Sequence, residues 1–382
     1  MNRSWACPIN VRFGRMLSCL AAGMLSTTLY AQGVREVRTP SFWFLVLGAE
    51  QGWDSNPLLL AGGVSDATTT ASASLSVFKR RQVSTYAITA TAGINRFQKN
   101  TALTNFSYGV SVNADRRLTA AVTVAAQVGF DTRLSSGVVG AVDLPYLGLV
   151  QQQQLTSTVS LTDRLTARTT ATVRAGYSQA QFDSPGAVPG YLASGNGQLT
   201  HVISPTNTIG LDASAQQGTT QGAMTSLQSL GVNWTKAFGK VAFIGSAGVV
   251  RAATPGKATY GPLGSAVIAD SIGPGYLSGG YSYTASPAFG LGGIFTTSAA
   301  FASYEFRALR GNFLSVSSVT GRSTQNGSSG PDLRGESLSV RLRRVLKSGL
   351  TLSFGSSFRA RKDVYLTKGF GASLGLGFTF GS

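Results

Sequence analysis

The sequence predicts an all-β chain: a transmembrane antiparallel up-and-down β-barrel of about 16–18 strands, with 18 preferred. Three observations predict it. Apolar and polar residues alternate with a period of two over stretches longer than the ~5–6 residues of a globular strand, and long enough for the ~9–11 of a tilted membrane strand. Past residue 31 the longest apolar run is Phe42–Ala49, eight residues against the ~20 that a spanning helix needs. Connections alternate between short turns and long Gly/Ser/Pro-rich stretches, the asymmetry of an outer-membrane barrel. A chain in lipid must pair every backbone group internally, so without spanning helices a closed sheet is the remaining solution.

Seventeen strands follow from the alternation, near 42–53, 68–79, 83–97, 104–115, 118–133, 150–162, 165–181, 191–203, 207–218, 223–237, 240–252, 276–285, 293–306, 311–322, 334–346, 349–361 and 369–380. The clearest is the last. Phe370, Ala372, Leu374, Leu376, Phe378 and Phe380 share one face, and Gly371, Ser373, Gly375, Gly377 and Thr379 the other. In 118–133, Leu118, Ala120, Val122, Val124, Ala126, Val128 and Phe130 oppose Thr119, Thr123, Gln127, Asp131 and Arg133. A weaker strand around Leu263–Asp270 brings the count to the even number that single-chain bacterial barrels have.

Short turns are expected at Lys79-Arg80-Arg81, Asp115-Arg116-Arg117, Asp163-Arg164, Ser204-Pro205-Thr206, Phe238-Gly239-Lys240 and Leu346-Lys347-Ser348. Long loops are expected at 54–67, 134–149, 182–190, 253–275 and 321–333. A solenoid would show a fixed short repeat and a sandwich shorter strands; neither pattern is present.

Residues 1–31 read as a secretory signal. Arg3, Arg12 and Arg15 precede an apolar stretch from Met16 to Leu29, and Ala31 is a small residue before the cut. Residues 32–41 form a short polar lead-in, and 42–382 the barrel. Both cysteines, Cys7 and Cys19, lie in the signal, so the exported chain has no disulfide or thiolate chemistry.

Charge carries the functional information. Lys plus Arg number 32 against 15 Asp plus Glu, for a net charge of +17. Export makes nucleic acid a poor partner for these basic residues. Arg341 and Arg343 share the polar face of 334–346, opposite Leu338, Val340 and Leu342. Arg359 and Arg361 stand opposite the parity of Phe358 and Ala360. Arg168 and Arg174 share a face with Thr166, Thr170 and Thr172, and Arg133 shares one with Gln127 and Asp131. A charge facing lipid at mid-membrane costs ~2–4 kcal/mol, so these seven arginines are expected to line the lumen. There they would concentrate anions, as Arg or Lys rings do in anion pores.

No catalytic constellation is legible. His201 is the one histidine, no cysteine remains for zinc, no Gly-x-Ser-x-Gly stands in a strand-to-helix setting, and no phosphate loop with Gly-Lys-Ser/Thr appears. No metal or cofactor is expected.

The C-terminal run Ser373-Leu374-Gly375-Leu376-Gly377-Phe378-Thr379-Phe380 resembles the assembly signal of bacterial outer-membrane barrels, carried by Ser373, Gly375, Phe378 and Phe380. Those proteins usually end on the aromatic; here Gly381 and Ser382 follow. The resemblance implies the barrel-assembly machinery and outer-membrane lipid as partners, in a Gram-negative outer membrane. The segment Gly52-Trp53-Asp54-Ser55-Asn56-Pro57 is similar to outer-membrane β-barrel families encoded with exopolysaccharide genes. That similarity implies an acidic polysaccharide as cargo. The alternative for the same residues is turn chemistry, in which Asp and Asn bond their own backbone and Pro fixes φ.

The expected function is therefore a porin-like channel favouring anionic solutes, with a link to exopolysaccharide export implied by resemblance. A loop-plugged structural or surface-interaction barrel is the alternative, and an outer-membrane enzyme the remote one. If the signal is removed after Ala31, N-terminal sequencing of the exported protein should begin at Gln32; an uncut N-terminus would overturn the signal assignment.

Overall fold

The computed structural model describes residues 41–57, 63–135, 150–183, 189–220, 223–287, 293–308, 311–325, 332–346, 350–362 and 366–381. The expected signal, residues 1–31, and most of the expected lead-in, 32–41, lie outside these residues.

The chain forms one 18-stranded antiparallel sheet closed into a barrel. Its strands are β1 (Ser41–Asp54), β2 (Asp66–Arg80), β3 (Ser84–Phe97), β4 (Asn105–Arg117), β5 (Val122–Ser135), β6 (Val150–Arg164), β7 (Thr169–Phe182), β8 (Gly190–Ser204), β9 (Asn207–Thr220), β10 (Ala223–Phe238), β11 (Val241–Thr254), β12 (Lys257–Ile272), β13 (Gly275–Pro287), β14 (Ile294–Ala308), β15 (Asn312–Gln325), β16 (Asp332–Val345), β17 (Leu350–Lys362) and β18 (Leu366–Gly381). Each strand pairs with its sequence neighbours, and β1 closes on β18 from Phe44↔Gly381 to Asp54↔Gly371. A 3-10 turn at Thr101–Leu103 sits between β3 and β4.

The strand expected weakly at 263–270 is the full-length β12. The long loop expected at 253–275 is therefore corrected to one strand with two tight turns at its ends. Pro262 and the surrounding glycines look like loop residues, but the sheet accommodates the proline. The β11 ladder runs past it as Val249↔Pro262, whereas the β13 ladder stops at Gly264↔Tyr283. Pro lacks an N–H, so it is tolerated where pairing on one side has ended. Gly256 and Gly273 supply the left-handed backbone of the two turns, with φ of 78° and 57°. Two other strands begin later than expected. Residues 118–121 and 165–168 are turns, closed by Thr119 and Thr166, whose hydroxyls accept backbone N–H bonds two to three residues on.

Chirality fixes which face is inside. Strands in a barrel coil right-handedly, so viewed from outside they lean rightward as they rise. From Leu47, successive partners Ala73, Ala92 and Tyr108 climb toward the end of the barrel where the β1–β2 loop lies. Later strands therefore lie to the left. Arg117 N–H bonds the carbonyl of Val83, which immediately precedes β3, to its right, and for an L-residue on a descending strand that direction turns the side chain inward.

Direct cross-strand partners share a face, so the assignment propagates around the sheet. The outer face carries Leu45, Ile88, Val110, Phe130, Leu161, Val173, Leu211, Leu230, Phe354 and Leu374; the inner face is largely Ser, Thr, Gly, Asn, Gln and Arg. Most of these outer side chains are exposed, as the wall of a bilayer-embedded barrel must be.

Inner hydroxyls pair directly across strands: Ser214 with Ser229 at 2.6 Å, Ser246 with Ser265 at 2.8 Å, Ser278 with Ser303 at 2.7 Å and Ser317 with Ser339 at 2.7 Å. Each such pair stabilises the wall by about 0.2–1 kcal/mol.

Glycine at 248 permits a close approach, because a Cβ there would meet the Leu230 carbonyl. Gly195 has open space. Gly248→Val should lower stability by about 1–3 kcal/mol, read as a smaller heat-modifiable folded fraction on gels, whereas Gly195→Val should refold like the parent.

Candidate functional site: the lumen wall

The inner face of β14–β18 holds the densest group of lumen cations. Arg307, Phe313 and Arg343 lie in one row across β14, β15 and β16. Both guanidiniums sit over the Phe313 ring, at 5.8 Å for Arg307 and 4.8 Å for Arg343. The ring separates two like charges and attracts each through its quadrupole. Arg341 lies one row further from the short turns, beside Ser315 and Gly355. A Cβ at Gly355 would stand 3.9 Å from the Arg341 Nε, ordinary contact, but 2.9 Å from the Ser373 hydroxyl, so the glycine makes room for that serine on the inner wall.

Towards the loop end of the same wall, Arg359 faces inward and pairs with Asp54 of β1. The pair spans β18, where Gly369 and Gly371 stand opposite Arg359 and Asp54 respectively. With glycine at both inner positions of β18, no side chain there stands between the arginine and Asp54. Arg361 lies one inward position nearer the loops. Asp54 also accepts a bond from Asn56 N–H at 2.9 Å, and Ser55 exchanges bonds with Phe370, its N–H donating to the Phe370 carbonyl and its Oγ accepting from Phe370 N–H at 2.7 Å. The Trp53–Asn56 segment thus closes the β1–β18 seam by turn chemistry.

The other sequence-predicted residues are dispersed. Arg133 faces inward from β5, 3.6 Å from Asp131 and bonded at 3.0 Å to Gln154. Arg174 faces inward from β7 beside Ser160 and Asn196. Arg168 is not a strand residue. It lies in the 165–168 turn, where its carbonyl accepts from Val202 N–H, so its assignment to a strand's inner face is corrected. Sequence reasoning passed over Arg307 because its segment carries Phe301, Tyr304 and Phe306 on both parities, which blurs the faces.

Among the described residues no acid is paired with Arg174, Arg341 or Arg343, and no group of three His, Cys, Asp or Glu could hold a metal ion. His201 is exposed on the outer face, with its Nδ1 3.0 Å from the Thr169 hydroxyl and, among the described residues, no carboxylate bonded to it. Ser373 and Gly375 face the lumen, while Phe378 and Phe380 lie on the outer face with centroids 4.3 Å apart.

The lumen differs between its ends. Inward side chains near the loops, including Phe97, Gln152, Leu227, Phe295, Ser323 and Leu333, are buried. Arg341 and Arg343 near the short turns are exposed. Inward side chains are therefore more closely packed toward the loops. At that end β10 and β13 approach each other behind the β11–β12 hairpin, and Leu227, Val250, Ala252 and Ile294 form an apolar cluster.

No protein-family profile matches the chain, and no curated protein matches it by sequence. Solved structures do match it in fold. Acinetobacter baumannii OccAB4 aligns at 11% identity with a TM-score of 0.53, covering 91% of this chain and 99% of that one. Pseudomonas aeruginosa OccK2 (OpdF) aligns at 11% identity and 0.54, covering 89% and 98%. Pseudomonas aeruginosa OpdK, solved with vanillate, aligns at 11% and 0.53, covering 90% and 99%. At these identities the likeness shows a shared barrel fold.

The seam pair can be tested. Arg359 is 35% and Asp54 17% exposed, between the surface and buried regimes. Asp54→Asn should cost about 1–3 kcal/mol in urea unfolding of the refolded barrel, and Asp54→Asn with Arg359→Gln should cost less than the single change. Additive losses would show that the two side chains act independently.

Proposed function

We propose that this chain is a bacterial outer-membrane channel whose lumen favours anionic solutes. One observation carries the reading: the inward column of arginines on β16 and β17, with Arg341 and Arg343 exposed toward the short turns and Arg359 and Arg361 nearer the loops. A barrel of 16–18 strands leaves an aqueous lumen. In it, guanidiniums stay charged at all working pH values and bind carboxylate or phosphate through two bonds. The short turns would face the periplasm and the longer loops the outside.

The structural likeness to OpdK, an outer membrane protein solved with vanillate, supports the barrel and is compatible with a carboxylate cargo. An acidic polysaccharide would carry the same charge, but it rests on the resemblance of Trp53–Asn56 alone, and seam closure accounts for those residues without reference to cargo. Ser373, Gly375, Phe378 and Phe380 are proposed to serve recognition by the assembly machinery, since the terminal strand carries both the aromatic outer edge and the small inner one.

The burial of inward side chains toward the loops favours a second reading, a barrel closed at that end. Conductance in a planar bilayer under a salt gradient separates the two. Steady current with an anion-favouring reversal potential is the expected result. Arg341→Glu with Arg343→Glu should reduce or reverse that preference. A folded, inserted and electrically silent barrel would establish the closed reading, and unchanged selectivity in the folded double variant would remove these arginines from the mechanism.

A further inference from the structure

The outer face near the loops carries an arrangement that the channel does not use. Arg322, Arg334 and Lys362 lie side by side on β15, β16 and β17, as Arg322↔Arg334 and Arg334↔Lys362. All three point away from the lumen. Like charges directly opposite one another destabilise a sheet. Among the described residues Asp332 lies between the two arginines: Arg322 binds it through two bonds of 2.8 and 2.9 Å, and Arg334 Nη2 lies 3.5 Å from it. Both arginines remain more than half exposed, at 53% and 57%.

One row nearer the membrane centre the wall turns small. Ala300, Thr320 and Ala360 form a floor between Tyr281 and Lys368, with Glu336 on the same row. Residues of these two rows line a concavity of about 700 Å³. One row further, Leu338, Phe358 and Phe370 adjoin one another, with the two rings 4.9 Å apart. From the loops inward the order is cations, a recess, then aromatic and aliphatic wall.

We infer that this recess binds a phosphorylated, acylated glycolipid of the outer leaflet, with its phosphate on Arg334 and Lys362 and its chains against Leu338, Phe358 and Phe370. The inference rests on the outer-membrane orientation proposed above. It explains why cations are gathered on a face that otherwise repels charge. A phosphate between Arg334 and Lys362 converts their mutual repulsion into charge-assisted bonding. The apolar row beneath selects a lipid over a free anion.

The test uses the full barrel in phosphatidylcholine nanodiscs doped with bis-phosphorylated lipid A or with the same lipid stripped of its phosphates. Insertion is checked first by heat-modifiable mobility and circular dichroism. The phosphorylated lipid should be retained preferentially. Arg334→Ala with Lys362→Ala should weaken retention on the order of tenfold, while Lys236→Gln with Arg344→Gln, at the opposite rim of the outer face, should not. If the first variant does not fold, Lys362→Gln alone serves, with a smaller loss expected. Equal retention of both lipids, or no loss in the folded variant, overturns the site and leaves the channel reading standing. Full displacement by inorganic phosphate shows a free-anion site and overturns the lipid assignment. A parent chain that forms no barrel in the bilayer removes the orientation on which both readings stand.

Discussion

Closure of the sheet is the constraint on which everything else depends. An open sheet of eighteen strands would leave two edges of unpaired N–H and C=O groups, each costing several kcal/mol in hydrocarbon. The β1–β18 ladder removes both edges at once. Side chains reinforce it at the loop end, where Arg359 crosses β18 to Asp54 and Ser55 holds Phe370. The reinforcement depends on Gly369 and Gly371, whose absent side chains open the path for the arginine. The glycine-rich inner face of β18 is thus part of the seam as well as part of the lumen wall.

Once the sheet is closed, the alternation of side chains does two unrelated jobs. The outer face needs apolar bulk to sit in lipid. The inner face needs polar groups that do not fill the pore, and short hydroxyls satisfy one another across strands, as in the Ser214–Ser229 and Ser317–Ser339 pairs. Long side chains inside are therefore exceptions with consequences. Arg341 and Arg343 project from a wall of Ser and Gly, so their charge is presented to the lumen rather than lost among neighbours. Phe313 is the complementary exception, holding Arg307 and Arg343 apart.

The two ends of the molecule differ in the same physical terms. Toward the short turns the wall is open and the arginines are exposed. Toward the loops the inner face is buried, and on the outside the charge sequence reverses the rule of the wall below it. The Arg322–Asp332–Arg334 group and Lys362 stand at the loop-end edge of the apolar outer face. The inner and outer charges are carried by alternate residues of the same strands: Arg341 and Arg334 both belong to β16 and point in opposite directions.

The sequence by itself determined the class of fold, the approximate position of nearly every strand and the polar face on which Arg341, Arg343, Arg359 and Arg361 lie. These are local properties, because a period of two places alternate side chains on opposite faces wherever a strand forms. Its errors were also local. Pro262 and its glycines hid β12, since a proline's compatibility with a strand depends on which neighbour has stopped pairing. Arg168 continued the polar parity of β7 but fell in the turn that Thr166 closes. Tertiary structure decided which residues of distant strands meet. Asp54 and Arg359 are far apart in the chain, as are Tyr281 and Lys368 at the two sides of the outer recess. Their proximity follows from ring closure and cumulative register, to which every one of the eighteen strands contributes, and no single strand's pattern contains it.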